Sequence, residues 1–170
     1  MTAKRNTGSL LTPLCRGNEQ RGPQRKMPES PARMVAQFHR WAYQEEFGAG
    51  VDDPSLRITL HKEEDKELLD ALEDNDAPTL LAYLVAVAKE LADKVYIAYG
   101  TAHSLGIPLD DVIRLVHESN MSKGDDYGNA VLREDNKVMK GPYYEPPEDR
   151  IAALIYALLA KKTAQEMRKS

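Results

Sequence analysis

Prolines punctuate this 170-residue chain at the starts of its apolar-periodic segments, a spacing that suits a series of helices and little else. Ser30-Pro31 joins an N-cap residue to a proline suited to a first helical turn. Met34, Val35, Phe38, Trp41 and Ala42 then form an apolar stripe, with Gly48 as the expected stop. Asp53-Pro54 opens a second helix that runs to about Asn75, and Asp76-Ala77-Pro78 opens a third that ends near Gly106. Pro108 opens a short fourth helix with Leu109, Val112, Ile113 and Val116 inward. Pro146-Pro147 precedes a last helix with Ile151, Leu154, Ile155, Leu158 and Leu159 on one side. Before that helix lies SNMSKGDDYGNAVLREDNKVMKGPYYEPP, rich in Gly, Asp, Asn and Lys; a connection this long in a compact domain is usually functional or disordered. Within it, VLREDNKVM reads as a small hairpin turning at Asp135-Asn136. The expected fold is all-α: a four- to five-helix bundle with one long functional loop before the last helix.

Composition narrows the function classes. Hydrophobic content of 42% and charged content of 29% are ordinary for a globular domain. The formal net charge of −4 gives no global basic footprint, so no specific nucleic-acid role is expected. The charge is uneven: residues 1–30 carry Lys4, Arg5, Arg16, Arg21, Arg25 and Lys26 against Glu19 and Glu29. That stretch, rich in Gly, Pro, Asn and Gln, reads as a disordered basic N-terminal tail preceding one domain at 31–170. The single cysteine, Cys15, has no internal partner for a disulfide. No apolar run approaches the roughly 18 residues of a membrane span, and SLLTPL is too short for a signal-peptide core. A cytoplasmic location without membrane attachment is expected.

Two pairs of carboxylates interrupt apolar stripes. On the second helix Glu64 and Glu67 share a stripe with Leu60, Leu68 and Ala71. On the third, Glu90 and Asp93 share one with Tyr83, Ala86 and Ile97. Each pair is spaced i, i+3 and so lies on one face. Carboxylates are rarely buried unless paired, hydrogen-bonded or bound to a cation. A Glu-rich helix beside Lys62, Lys66 and Lys89 also fits a solvated face, but two such pairs on successive stripes favour the inward reading. The short turn between the helices makes them antiparallel neighbours, so Glu64, Glu67, Glu90 and Asp93 are expected to meet around one or two divalent cations. All-oxygen ligands favour Mg²⁺, with Mn²⁺ as a substitute. Glu63, beside the first pair, is spaced either to take a proton from an activated water or to act as an outer ligand. Lys94, four residues after Glu90, is spaced to pair with it. In the long loop, Asn120, Ser122, Lys123, Lys137 and Lys140 supply donors suited to phosphate oxygens.

With these residues in place the chain resembles a known family. The order of HKEEDKELLDAL, ELADKVYIAYGTAHSLGI, VHESNMSK and DNKVMKGPYYEPP, together with the early Phe38-His39, is similar to the all-α nucleoside triphosphate pyrophosphohydrolases of the MazG type, in their phage-like and phosphoribosyl-ATP-pyrophosphohydrolase-like branch. The resemblance runs from roughly Met34 to Pro147. It implies a helical enzyme, assembled as a homodimer or homotetramer. It also implies Mg²⁺-dependent hydrolysis of a nucleoside triphosphate to monophosphate and pyrophosphate, with water attacking the α-phosphorus. By motif position it implies that Glu64, Glu67, Glu90 and Asp93 are metal ligands and that Glu63, with Glu64, activates water. It implies further that Lys123 and Lys140 hold phosphates, and that Asn120, Tyr143 and His39 contact the nucleotide. Phe38 and Trp41 are expected in the core, and His61, His103 and His117 in ordinary surface or capping roles. Asn136 replaces the glycine usual in the loop turn and tolerates the same left-handed geometry. Two rival readings stand beside this one: hydrolysis of phosphoribosyl-ATP or another phosphoanhydride, and a non-catalytic helical interaction protein with a structural ion.

Overall fold

The structure, a computed structural model, describes residues 30–168, and the expected N-terminal tail with Cys15 lies outside the described residues. Five helices follow in order: α1 (Pro31–Tyr43), α2 (Ser55–Glu73), α3 (Leu80–Leu105), α4 (Leu109–Met121) and α5 (Glu148–Met167). This is the all-α arrangement expected. At 26 residues, α3 is the spine, about 39 Å long at the usual helical rise. It packs most extensively on α2 and next on α1, while α4 and α5 touch each other.

The helix ends follow local chemistry. The Asp53 carboxylate accepts from the Ser55 backbone N–H (2.9 Å) and hydroxyl (2.8 Å), fastening the start of α2. Thr79 Oγ1 accepts from the Ala82 N–H at 3.1 Å and caps α3. Gly106 ends α3 with φ 72°, the left-handed geometry that favours glycine. The stop of α1 differs from expectation: the C-cap is Gln44 (φ 52°), four residues before Gly48. Gly48 has another task. Its N–H donates to the His103 carbonyl (2.8 Å), and that of Gly50 donates to the Ser104 carbonyl (2.9 Å), so the loop after α1 satisfies the last turn of α3.

The buried face of α1 also differs from the apolar stripe. Val35 and His39 are buried, whereas Phe38 and Trp41 are 37% and 79% exposed, so the core placement expected for those two aromatics does not hold. The cause is a polar cluster under the helix. His39 Nδ1 lies 2.6 Å from Glu45 Oε2, and Arg57 reaches both Glu45 Oε2 (3.5 Å) and Ser104 Oγ (2.7 Å). Gly100 leaves the space for this, since a Cβ there would stand 2.9 Å from His39 Nε2. His103 is buried beside His39, with ring centroids 4.9 Å apart, which corrects its expected surface or capping role. His61, half-buried, bonds Thr101 Oγ1 at 3.0 Å.

The loop between α4 and α5 contains the expected small hairpin, reduced to one antiparallel bridge, Leu132 to Val138. Its turn places Asn136 at φ 62°. On α4, Tyr99 of α3 donates to Asp110 at 2.6 Å, and burial first, then this contact, pushes the phenol up to about 12. An ion pair between Arg150 and Glu118 ties α5 to α4. No residue of α5 is buried, and Leu159, expected inward, is 59% exposed. Ile113 and Val116 of α4, also expected inward, are likewise exposed.

Candidate active site

The α2–α3 hairpin brings three of the four expected carboxylates together. Ligand oxygens of Glu64, Glu90 and Asp93 all lie within 4.8 Å of one another. Glu64 projects from the middle of α2, and Glu90 and Asp93 stand one turn apart on α3, so the i, i+3 spacing and the antiparallel pairing produce the cluster. Glu67 lies outside it, with a side chain 54% exposed. Glu63 is exposed on the neighbouring face of α2.

Electrostatics leave the cluster short of positive charge. Burial, then the negative charges of Asp93, Glu67 and Glu90, hold the Glu64 carboxyl above its ordinary range, and Lys89 works against them. Glu64 Oε2 is buried without a hydrogen-bond partner among the described residues. A buried, unpaired carboxylate oxygen is costly unless something positive faces it. Lys89 meets the need only in part: its ammonium lies 2.9 Å from both Glu90 Oε1 and Asp93 Oδ2, and 3.8 Å from Glu67. Its own ionisation is raised by those bonds to Glu90 and Asp93. An all-carboxylate donor set with an unsatisfied oxygen fits a hard divalent ion. Lys94, expected to pair with Glu90, instead reaches across to Asp65 of α2 and leaves the cluster alone.

The phosphate-binding candidates gather elsewhere, at the end of α4 and the base of the loop. Lys123 Nζ donates to Asn120 Oδ1 at 2.7 Å. Lys140 Nζ stands 4.3 Å from the centroid of the Tyr144 ring, and Lys123 Nζ 5.9 Å from it. Tyr143, singled out from the sequence, is 66% exposed. Its half-buried neighbour Tyr144 is the residue that lies near both lysines, and it is the tyrosine at the fixed position of the KGPxYxPP pattern. His39 is buried and committed to Glu45, a setting unlike an open base pocket. Lys89 was the other residue not singled out for a role at the site.

The helical hairpin presents an acidic triad of the kind suited to a hard metal ion. The phosphoribosyl-ATP pyrophosphohydrolase family matches residues 34–120, just over half of the chain, and the protein belongs to that family. It is therefore a pyrophosphohydrolase. No curated relative matches. Among solved structures, the chain is similar to a protein from Exiguobacterium sp. 255-15, named as a candidate NTP pyrophosphohydrolase. The two share 19% identity over 79% of this chain and 99% of that one, with a TM-score of 0.49. No helix among the described residues is long and apolar enough to cross a membrane.

Proposed function

We propose that the protein hydrolyses a nucleoside triphosphate to the monophosphate and pyrophosphate with Mg²⁺ as cofactor, and that Mn²⁺ can replace it. The observation that carries this reading is the convergence of Glu64, Glu90 and Asp93 around an unpartnered, buried carboxylate oxygen. Those three residues would hold the ion, with Glu67 at the rim. When bound, a divalent cation polarises phosphate oxygens and lowers the pKa of water. The remaining work belongs to the chain. Glu63, beside the cluster and exposed, takes the proton of the attacking water. Lys123 and Lys140 hold the phosphates and offset the charge that develops on the leaving pyrophosphate. Asn120 orients Lys123 and borders the nucleotide, as does Tyr143. His39 acts from behind, through Glu45, on the α1–α3 contact. The enzyme works in the cytoplasm, on a nucleotide and without a membrane, as a homodimer or homotetramer.

The family match also supports phosphoribosyl-ATP as the substrate, since the bond cleaved is of the same type. A product profile separates the two. The full chain is incubated with each common NTP and dNTP and with phosphoribosyl-ATP, with and without Mg²⁺. Pyrophosphate released from a nucleoside triphosphate only with Mg²⁺, and lost in Glu64→Gln and Asp93→Asn, supports the reading. Orthophosphate as the product contradicts the proposed bond, and turnover of phosphoribosyl-ATP alone moves the assignment to that substrate. Folded protein without any turnover leaves the interaction-protein alternative.

A further inference from the structure

The end of α4 and the returning segment of the loop are stitched together by bonds in which the carboxylate cluster takes no part. Ser119, 5% exposed, donates its hydroxyl to the Glu145 carbonyl at 2.7 Å. Ser122 Oγ accepts from the Glu145 N–H at 2.9 Å and donates to the Ser119 carbonyl at 2.8 Å. One loop residue thus has both backbone groups held by the last turn of α4. The Gly141 N–H donates to the Lys123 carbonyl at 3.1 Å. Gly141 crosses so close to Gly124 that a Cβ on it would stand 1.9 Å from the Gly124 carbonyl oxygen. No side chain fits there, so the crossing has one register.

That register places Lys123 and Lys140, one on each strand of the crossing, near the same ring. Their ammonium groups lie 5.9 Å and 4.3 Å from the Tyr144 centroid and hence within about 10 Å of each other. Among the described residues no carboxylate forms an ion pair with either lysine. Lys123 meets only the neutral oxygen of Asn120. An aromatic face attracts an ammonium without neutralising it. Two cations held near one ring, neither paired with a carboxylate, make a site for a multiply charged anion.

We infer that Tyr144 is a positioning residue whose ring gathers Lys123 and Lys140 into a single paired-cation site for a polyphosphate chain, at a register fixed by the Gly124–Gly141 crossing. The identity of the natural anion rests on the hydrolase reading above. The existence of the site does not.

The test uses the full chain and two readouts. The first is calorimetric binding of inorganic tripolyphosphate at low salt, and the second is KM and kcat for the best nucleotide. Tyr144→Leu weakens tripolyphosphate binding on the order of tenfold, as loss of a cation–π contact and its preorganisation implies, and raises KM by a similar factor while kcat changes far less. Tyr144→Phe, which keeps the ring, restores both. In a Lys140→Ala background Tyr144→Leu costs less than in wild type, because the part of its effect that runs through Lys140 is already gone. Tyr144→Met, similar in bulk without a ring, replaces the leucine variant if the latter does not fold.

Equal affinity in wild type and Tyr144→Leu overturns the proposal. So does damage by Tyr144→Phe equal to that of leucine, full additivity with Lys140→Ala, or a wild type that ignores tripolyphosphate. Tyr144-dependent binding in a protein that hydrolyses no nucleotide would remove the hydrolase reading and leave the site. Normal hydrolysis with Tyr144-independent binding would do the reverse.

Discussion

Lys89 sits where a metal ion would compete with it, its ammonium shared between Glu90 and Asp93. Replacing it with Met removes a positive charge from beside the carboxylates, and at such distances in a wet site one charge is worth about 1 kcal/mol, or roughly fivefold in affinity. Lys89→Met should therefore bind Mn²⁺ more tightly by about that factor at low salt, measured by titration calorimetry, with the gain shrinking as salt is raised. Glu45 makes the opposite point about burial. Burial alone would push its carboxyl up. Hydrogen bonds from Ser104 and His39, with the charges of His39 and Arg57, more than offset that and leave it below its ordinary value of 4.5. A depressed carboxyl contributes stability that is complete above the unfolded value and fades as pH falls through the folded one. The melting temperature of the wild type should thus drop as pH falls below 4.5, over a range where Glu45→Gln changes less. At neutral pH the same variant should be less stable by about 1–3 kcal/mol, the usual cost of leaving buried partners unpaired, in chemical denaturation.

At the level of elements, Gly124 and Gly141 pinch two backbone segments tightly together outside the helices. Gly141→Ala forces the crossing apart, and overpacking of that kind typically costs about 1–3 kcal/mol. Denaturant unfolding should show the loss, and the tripolyphosphate affinity of the variant should fall with it, since Lys123 and Lys140 lose their common register. That pinch is not legible in the sequence for a physical reason: nothing in a lone KGP says which backbone it will cross. Other elements were plainly written. The helix starts at Pro31, Pro54, Pro108 and Pro147 follow from a missing N–H that costs nothing in a first turn, and each of those residues opens or borders a helix. The carboxylate triad was readable because i, i+3 spacing and a short antiparallel connection are local properties. The inward face of α1 is not legible in the sequence because its burial is decided by a polar partner, Glu45, and by the hollow at Gly100, and both depend on tertiary geometry. The partner of Lys94 is hidden for a similar reason: its choice of Asp65 over Glu90 depends on which helix lies across from it.

On the scale of the whole molecule, one chain leaves much apolar surface in the open. Leu80, Leu81 and Val85 at the start of α3 are 73%, 72% and 61% exposed, and Tyr156 on α5 is 76% exposed. Large exposed apolar side chains in such number are commonly covered by another chain. Sedimentation should give a mass two or four times 19.1 kDa, and Leu81→Glu with Val85→Glu should shift the population toward the single chain at low micromolar concentration. The loop has its own consequence for the molecule's integrity. Because the backbone is clasped at Gly124 and Gly141, the span from 125 to 140 hangs from a drawn purse-string rather than from two loose threads. A single protease nick in that span should yield two pieces on a denaturing gel, yet the cut enzyme should still elute as one species under native conditions.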